Sequence, residues 1–213
     1  MPTRVFVTAA LAILLLLGCA ALTLVWAGHR PVTAAGASAQ RSVPASPVAQ
    51  LLLRADSGEI AAQRLLALAY LKGEGVQKDA SVAALWAQAA ANGGDAEAQY
   101  LMGVLNRAEP AASFAWFARA AASGHLKAMH ALGVAYAQGQ GVAQDEAQAA
   151  GWFAKAAARG FVDSAFNLAV LYERGHGVKQ DAAQALRWYR AAAQAGDGVA
   201  ATRARLLAQQ VRL

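Results

Sequence analysis

The stretch AMHALGVAYAQGQGVAQDEAQAAGWFAKAAARG, residues 128–160, decides the fold, because a second stretch repeats it 36 residues later. The second stretch, residues 164–196, reads SAFNLAVLYERGHGVKQDAAQALRWYRAAAQAG. The matched positions include these pairs: Leu132 and Leu168, Tyr136 and Tyr172, Trp152 and Trp188, and Ala156 and Ala192. Repetition at a fixed interval of this length is typical of solenoid proteins, in which each copy packs against its neighbours.

Two earlier copies extend the repeat toward the N-terminus. The first copy keeps the landmarks Leu66, Asp79 and Trp86. The second copy is six residues shorter in its middle, where a link around Glu109-Pro110 replaces the glycine-containing turn. One glycine column marks the boundaries between copies: Gly58, Gly94, Gly124, Gly160 and Gly196. The chain therefore carries four copies, of which the second is truncated.

The first half of each full copy reads as a helix that ends in a turn. Ala128, Leu132 and Tyr136 recur at a spacing of four residues, which places them on one helical face. Gly139 and Gly141 are expected to turn the chain after this helix, because glycine tolerates positive φ angles.

The second half reads as another helix that packs back on the first. Asp145 precedes it and is predicted to cap it, since its carboxylate accepts hydrogen bonds from free backbone N–H groups. Trp152 shares a face with Ala149 and Ala156, and Gly160 is expected to end the helix. One such hairpin buries too little apolar surface alone, so the copies are predicted to stack.

The pattern A-x-x-x-L-G-x-x-Y-x-x-G-x-G-V-x-x-D, followed by A-x-x-W-x-x-x-A-A-x-x-G, closely resembles the Sel1-like repeat, a relative of the tetratricopeptide repeat. The resemblance implies an all-α fold, a right-handed α/α solenoid over residues 48–213. The implied repeats are these: about 58–93, 94–123, 124–159 and 160–195. Residues 48–57 and 199–211 are expected to form helices that cap the two ends. Asn106 departs from the pattern, because it stands where the other copies have tyrosine.

The N-terminal segment predicts export of the repeats. Residues 5–27 are uncharged and almost wholly apolar, and 23 residues suffice to cross about 30 Å of hydrocarbon as a helix. We expect residues 1–27 to be a retained signal anchor, because the run exceeds the usual core of a signal peptide. Two alternatives stay open, namely a lipoprotein signal lipidated at Cys19 and a signal peptide cleaved after Ala27 or within residues 34–39.

The linker and the distribution of charge bound the class of partner. Residues 28–47 contain three of the five prolines and no apolar periodicity, so they are predicted to form a flexible tether. The net charge of +6 arises at the ends of the chain, because residues 51–202 hold 13 basic and 13 acidic side chains. Since no basic stripe crosses the repeats, we predict no binding to nucleic acid.

The sequence carries no motif for catalysis, cofactor binding or metal binding. Its G-x-G turns lack the context of a P-loop or a Rossmann fingerprint, and its four histidines lack the spacing of metal ligands. No serine lies in a G-x-S-x-G motif. A cysteine-rich branch of the Sel1-like family has been linked to β-lactam hydrolysis or binding, but Cys19 is the one cysteine of this chain. We therefore predict a protein that is not an enzyme and holds no cofactor or metal.

The first helix of each copy presents a candidate surface for a partner. One column lies two residues before the landmark leucine and points away from the core face: Arg64, Tyr100, His130 and Phe166. Aromatic and arginine side chains supply most anchors of protein interfaces, so this column is predicted to line a concave groove. Arg107 and Glu173 are predicted to join it. The alternative is that Tyr100 and Phe166 pack against the preceding repeat.

Together these features predict an exported, membrane-tethered scaffold or regulator in the cell envelope that binds another protein. The expected location is the inner membrane, with the repeats in the periplasm, and the solenoid is expected to be monomeric. The alternative is an envelope hydrolase or a cell-wall glycan-binding module, and a third possibility is a purely structural spacer.

Overall fold

Helices account for most of the chain that the computed structural model describes, which is residues 46–211 of one compact unit. No strand occurs within this range. Its ten helices are α1 (Pro47–Asp56), α2 (Ile60–Lys72), α3 (Ala80–Asn92), α4 (Ala96–Leu105), α5 (Pro110–Ala122), α6 (Leu126–Gln138), α7 (Glu146–Ala157), α8 (Val162–Arg174), α9 (Ala182–Gln194) and α10 (Gly198–Val211). None of them has the length and apolar character needed to span a bilayer. The predicted all-helical fold is confirmed.

The predictions for the N-terminal segment concern residues outside the described range. These are the signal segment 1–27, the lipidation site Cys19 and the linker as far as residue 45. One boundary is corrected, because Pro47 was assigned to the linker and is the first residue of α1. Proline is well suited to that position, since the first N–H of a helix has no partner within the helix.

Helices α2 to α9 form four consecutive hairpins, and each helix packs chiefly on the helix before it and the helix after it. The hairpins are α2–α3, α4–α5, α6–α7 and α8–α9, which we call the first to fourth repeats. Single helices cover the two ends, because α1 packs on α2 and α10 packs on α9. Residues 48–57 and 199–211 were expected to provide these end helices.

Glycine and aspartate fix the turn inside each full hairpin. The helices α2, α6 and α8 end at left-handed residues, namely Gly73, Gly139 and Gly175, with φ angles of 78°, 69° and 72°. After the turn, an aspartate carboxylate accepts backbone N–H hydrogen bonds at the start of the next helix. Asp145 accepts from the N–H of Gln148 at 2.9 Å, as its sequence position predicted.

The four tryptophans of the repeats, out of five in the chain, occupy equivalent, half-buried positions on the second helix of successive hairpins. Trp116 of α5 packs against a cluster that contains the alanines of α3, in the preceding repeat. Trp152 of α7 packs against the cluster formed by α5 and α6, which again includes the preceding repeat. The large ring is accommodated because alanines line the facing helices, so the backbones approach closely.

A ring packed on a glycine joins the two helices of the second and third hairpins. Phe153 of α7 is 3 % exposed, and a Cβ atom on Gly133 of α6 would lie 2.5 Å from its ring. The same geometry places Phe117 against Gly103, where a Cβ atom would lie 2.4 Å away. Gly103 and Gly133 are therefore required by the rings opposite them.

The second glycine of each turn packs on the preceding repeat. Gly141 has a φ angle of 73°, and a Cβ atom there would lie 2.0 Å from the carbonyl oxygen of Pro110. Gly177 makes the equivalent approach to the backbone of Glu146, at 2.1 Å. These glycines thus serve both the turn and the stacking of one hairpin on the next.

The six-residue deletion of the second repeat is shared between a helix and its link. Helix α4 has 10 residues, whereas α2, α6 and α8 have 13 each. The link from α4 to α5 is residues 106–109, whereas residues 139–145 join α6 to α7. The second repeat therefore lacks the last turn of its first helix and nearly half of its link.

A candidate partner-binding pocket at the truncated repeat

A pocket of about 830 Å³ lies between the second and third repeats. The short link and α5 form one side of it, and α6 forms the other. Phe161, which precedes α8, and Asp163 in its first turn complete the wall. Its principal lining side chains are Tyr100, Arg107, Phe114, Lys127, His130 and Phe161.

Aromatic rings form the middle of the pocket wall. Phe114 of α5 lies edge-on to Tyr136 of α6, with ring centroids 5.4 Å apart. Tyr100 stacks on the ring of His125 at 4.6 Å, and His130 lies 5.1 Å from Phe161. These rings hold one another in place, so the wall is formed before any ligand arrives.

Charged side chains lie at the rim of the pocket. Arg107 and Lys127 are exposed and line it, as does the exposed carboxylate of Asp163. Neither cation has a hydrogen-bond or ion-pair partner within residues 46–211. The pocket thus combines an apolar centre with a net positive rim, and its described lining contains a single carboxylate rather than the pair that glycoside hydrolysis uses.

The predicted column lies at the contacts between successive repeats. Arg64 of α2 forms an ion pair with Asp95, with 3.1 Å between Nε and Oδ2, and Asp95 begins α4 of the next repeat. Tyr100 contacts His125, which caps α6. His130 contacts Phe161, which precedes α8. The column residues of the first three repeats therefore contact the residue that begins the first helix of the following repeat.

His130 is the column residue with the strongest electrostatic perturbation. Its Nδ1 atom shares a hydrogen bond of 2.9 Å with the Oγ atom of Ser164, which is fully buried. Burial lowers the pKa of His130, and the nearby carboxylate of Asp163 opposes that shift in part. The imidazole is therefore held in its neutral form, which contributes an apolar ring face to the pocket.

Phe166 and Glu173 lie apart from the pocket, in the fourth repeat. Phe166 packs on Tyr189 with ring centroids 5.5 Å apart. The buried hydroxyl of Tyr189 donates a 2.6 Å hydrogen bond to Oε2 of Glu173. Burial and this hydrogen bond raise the pKa of Tyr189. These contacts serve the packing of α8 on α9. The contact between Phe166 and Tyr189 lies within the fourth repeat, whereas the alternative placed Phe166 against the preceding repeat.

The comparison with known proteins agrees with this architecture. The family model of the Sel1 repeat matches the chain four times, at residues 60–95, 96–125, 126–161 and 162–197. The chain is a Sel1 repeat protein. Each match begins two residues after the glycine-marked boundary given above and covers one hairpin. No curated protein matches the chain at a significant level.

Two solved structures are similar to this Sel1 repeat protein. One is a protective antigen of uropathogenic Escherichia coli strains with an SLR fold; it is 34 % identical, with a TM-score of 0.71, over 72 % of this chain and 34 % of that chain. The other is a Sel1 repeat protein from Oxalobacter formigenes, which is 32 % identical, with a TM-score of 0.65, over 70 % of this chain and 62 % of that chain. The chain thus spans about a third of the first relative and about three-fifths of the second.

Membership of the family bears on the class of function. Sel1 repeats generally mediate protein–protein interactions, and the proteins that carry them are generally scaffolds rather than enzymes. Of the six residues predicted to bind a partner, the structure brings Tyr100, His130 and Arg107 into one pocket. Arg64, Phe166 and Glu173 are engaged in contacts elsewhere in the Sel1 repeats.

Phe114, Lys127 and Phe161 were missed by the sequence analysis, although the repeat alignment contains a signal for Phe114. The column of Phe114 reads Ala84, Phe114, Ala150 and Leu186 in successive repeats, and that of Lys127 reads Ala61, Glu97, Lys127 and Asp163. In the first column Phe114 departs from the alanine of the first and third repeats, whereas the second column differs in every repeat and contributes both Lys127 and Asp163 to the pocket. The departure at Phe114 is thus the signal by which the repeat alignment could have indicated this pocket.

The histidines of this region serve the fold. Nδ1 of His125 accepts the N–H of Ala128 at 3.2 Å, and its Nε2 lies 2.9 Å from a carboxylate oxygen of Glu97. Over the described range, no three side chains of the metal-ligating types lie close enough to hold an ion.

Proposed function

We propose that this protein is an exported, membrane-tethered scaffold that binds a partner protein in the pocket between its second and third Sel1 repeats. The observation that carries the proposal is the pocket itself, which combines preformed aromatic walls with unpaired cations at its rim. Aromatic and arginine anchors in a concave site are the features that dominate binding energy at protein interfaces.

The contrast with the rest of the described chain supports the choice of this pocket. In the first repeat the column side chain, Arg64, is already paired with Asp95. In the fourth repeat Phe166, Tyr189 and Glu173 satisfy one another. At the junction of the second and third repeats, Arg107 and Lys127 remain available to a partner.

A site-specific crosslink tests the site. A photoreactive amino acid at Gln140, an exposed residue that lines the pocket, should crosslink a partner in native membranes. His176 is the matched control, because it is exposed and occupies the equivalent position 36 residues later. The crosslink at Gln140 should weaken in a Phe114→Ala variant and persist in Phe166→Ala, which removes a ring outside the pocket. Equal crosslinking from Gln140 and His176 would contradict the proposal.

The proposed location rests on the sequence of the N-terminal segment. Its apolar run of 23 residues, followed by a proline-containing tether, suits a signal anchor that places the repeats in the periplasm. We expect the full chain to remain with the inner membrane after an alkaline carbonate wash. A protease added to spheroplasts should then digest the repeats, whereas their survival until the membrane is broken would contradict export.

A further inference from the structure

The pocket is elongated along one face of α6. Lys127, His130, Ala131 and Val134 of this helix all line it, and these positions share one face at helical spacing. The lining continues to Gln140, beyond the end of α6 at Gln138, so it follows this helix for about 16 Å at about 1.5 Å per residue. An extended peptide of about five residues has the same length, at about 3.3 Å per residue.

The two ends of the pocket differ in charge. Lys127 lies at the N-terminal end of α6, where the carboxylate of Asp163 also lines the pocket. The other end is marked by Gln140 and by Pro110, whose backbone packs against Gly141. Arg107 precedes Pro110 by three residues and lines the pocket, so it belongs to this second end.

The guanidinium of Arg107 is free to bind an acidic group of a ligand. It is exposed, and it has no hydrogen-bond or ion-pair partner anywhere in residues 46–211. Glu109, the nearest acid in the sequence, does not line the pocket. Arginine binds carboxylates through two parallel hydrogen bonds, which gives it both strength and direction at such a site.

The middle of the pocket is apolar. Phe114 of α5 and Val134 of α6 are half-buried and both line it, and the neutral imidazole of His130 lines it one turn before Val134. Phe114 is replaced by alanine at the equivalent position of the first and third repeats, Ala84 and Ala150. An apolar side chain of a ligand would therefore contact the Phe114 ring at this junction, and the first and third repeats have no such ring at the equivalent position.

From this geometry we infer that the pocket binds an extended segment of about five residues that carries an acidic side chain at the Arg107 end and an apolar or aromatic side chain at its centre. The inference rests on the proposed function, since it names the chemistry of the partner segment for the same site. The acid pairs with the guanidinium of Arg107, and the central side chain lies between Phe114 and Val134.

Short peptides test this inference directly. The probes are capped, fluorescently labelled five-residue serine peptides that have phenylalanine at the centre and glutamate at either the first or the last position. Their binding to the full chain in a mild detergent is measured by fluorescence anisotropy. We expect one of the two orientations to bind, and we expect replacement of its glutamate by lysine, or of its phenylalanine by serine, to weaken binding at least tenfold.

Charge reversal then tests whether Arg107 binds the glutamate side chain of the peptide. Arg107→Glu should weaken the glutamate peptide at least tenfold and improve binding of the lysine peptide. Lys179→Glu is the control, because Lys179 is exposed and lies outside the pocket, and it should leave both affinities unchanged. Both variants should keep the thermal melting temperature of the wild type, since both residues are exposed and lie in links between helices.

Three results would overturn the inference: no binding by any of these peptides, equal binding of the glutamate and lysine peptides, or no effect of Arg107→Glu. The crosslink at Gln140 separates this failure from failure of the proposed function. If Gln140 crosslinks a partner and Arg107→Glu leaves that crosslink intact, the pocket binds a protein of different chemistry. If Gln140 gives no crosslink at all, the proposed function itself fails.

Discussion

The junction between the second and third repeats and the junction between the third and fourth use the same stacking contacts but differ in the side chains between them. In both, a turn glycine packs on the start of the preceding second helix: Gly141 on Pro110 and Gly177 on Glu146. At the first junction Phe114 faces α6, whereas Ala150 stands at the same position in the next repeat. The landmark residues thus hold the hairpins together, and the positions between them decide whether a junction forms a pocket.

The strongest test of the shared framework is the ring that joins the helices of the third hairpin. Phe153→Ala should lower the free energy of unfolding by about 3–5 kcal/mol, because it removes a buried aromatic side chain and leaves a cavity. The measurement is urea unfolding of the full chain in detergent, followed by circular dichroism.

Gly133 provides the control for that prediction. Gly133→Ala alone should destabilise the protein, because its Cβ atom would lie 2.5 Å from the Phe153 ring. In the Phe153→Ala background the same change has room for its methyl group, so its cost should disappear or reverse. If the two substitutions are additive, the ring and the glycine do not depend on each other as described.

The second test concerns the stacking of one hairpin on the next. Gly141→Ala should cost about 2 kcal/mol or more, because residue 141 has a positive φ angle and its Cβ atom would lie 2.0 Å from the Pro110 carbonyl oxygen. Gly151 is a helical glycine with open space around its Cβ position. Gly151→Ala should therefore stabilise by up to about 1 kcal/mol. A similar cost at both positions would show that the close approach to Pro110 is unimportant.

The third test separates the fourth repeat from the pocket. Tyr189→Phe should lower the free energy of unfolding by about 1 kcal/mol, because the hydroxyl donates a 2.6 Å hydrogen bond to Glu173 inside the hairpin. The same variant should leave the crosslink from Gln140 unchanged, since neither Tyr189 nor Glu173 lines the pocket. Loss of that crosslink in a well-folded Tyr189→Phe protein would extend the binding surface to the fourth repeat.

These contrasts also show how much of the molecule was predictable. The hairpins followed from the 36-residue period, because the same apolar face and the same turn glycines return in each copy. The cap at Asp145 and the positive φ angles of Gly139 and Gly141 were predicted residue by residue. Such features depend on local backbone geometry and on spacing within one helix, and both can be inferred from the sequence alone.

The pocket was less predictable, because it depends on contacts between different hairpins. The column of Arg64, Tyr100, His130 and Phe166 was expected to line one groove, but each side chain meets a different neighbour. A repeat in the sequence identifies equivalent positions, but it does not identify the residues of neighbouring hairpins that those positions contact. Arg107 was expected in the groove and does line the pocket, but its place on the truncated link at the rim becomes clear only from the positions of α5 and α6.

The smallest expected effect is the pH dependence of stability that arises from His130 in the pocket wall. Burial lowers the pKa of His130 in the folded protein, and the unfolded chain has the ordinary value of about 6.5. Well above about pH 6.5, this residue is neutral in both states. As the pH falls below that value, the unfolded chain takes up a proton first, so stability is lost until the folded protein is protonated as well.

A His130→Gln variant should therefore lose less stability than the wild type between about pH 7.5 and pH 5, as measured by urea unfolding at each pH. Asp163→Asn should have the opposite effect, because the carboxylate of Asp163 raises the pKa of His130 and its removal enlarges the difference between folded and unfolded states. If the wild type and His130→Gln lose stability in parallel, His130 is not held neutral by burial. The pocket would then present a third cation beside Arg107 and Lys127 in mildly acidic solution, and its preference for an acidic segment should increase as the pH falls.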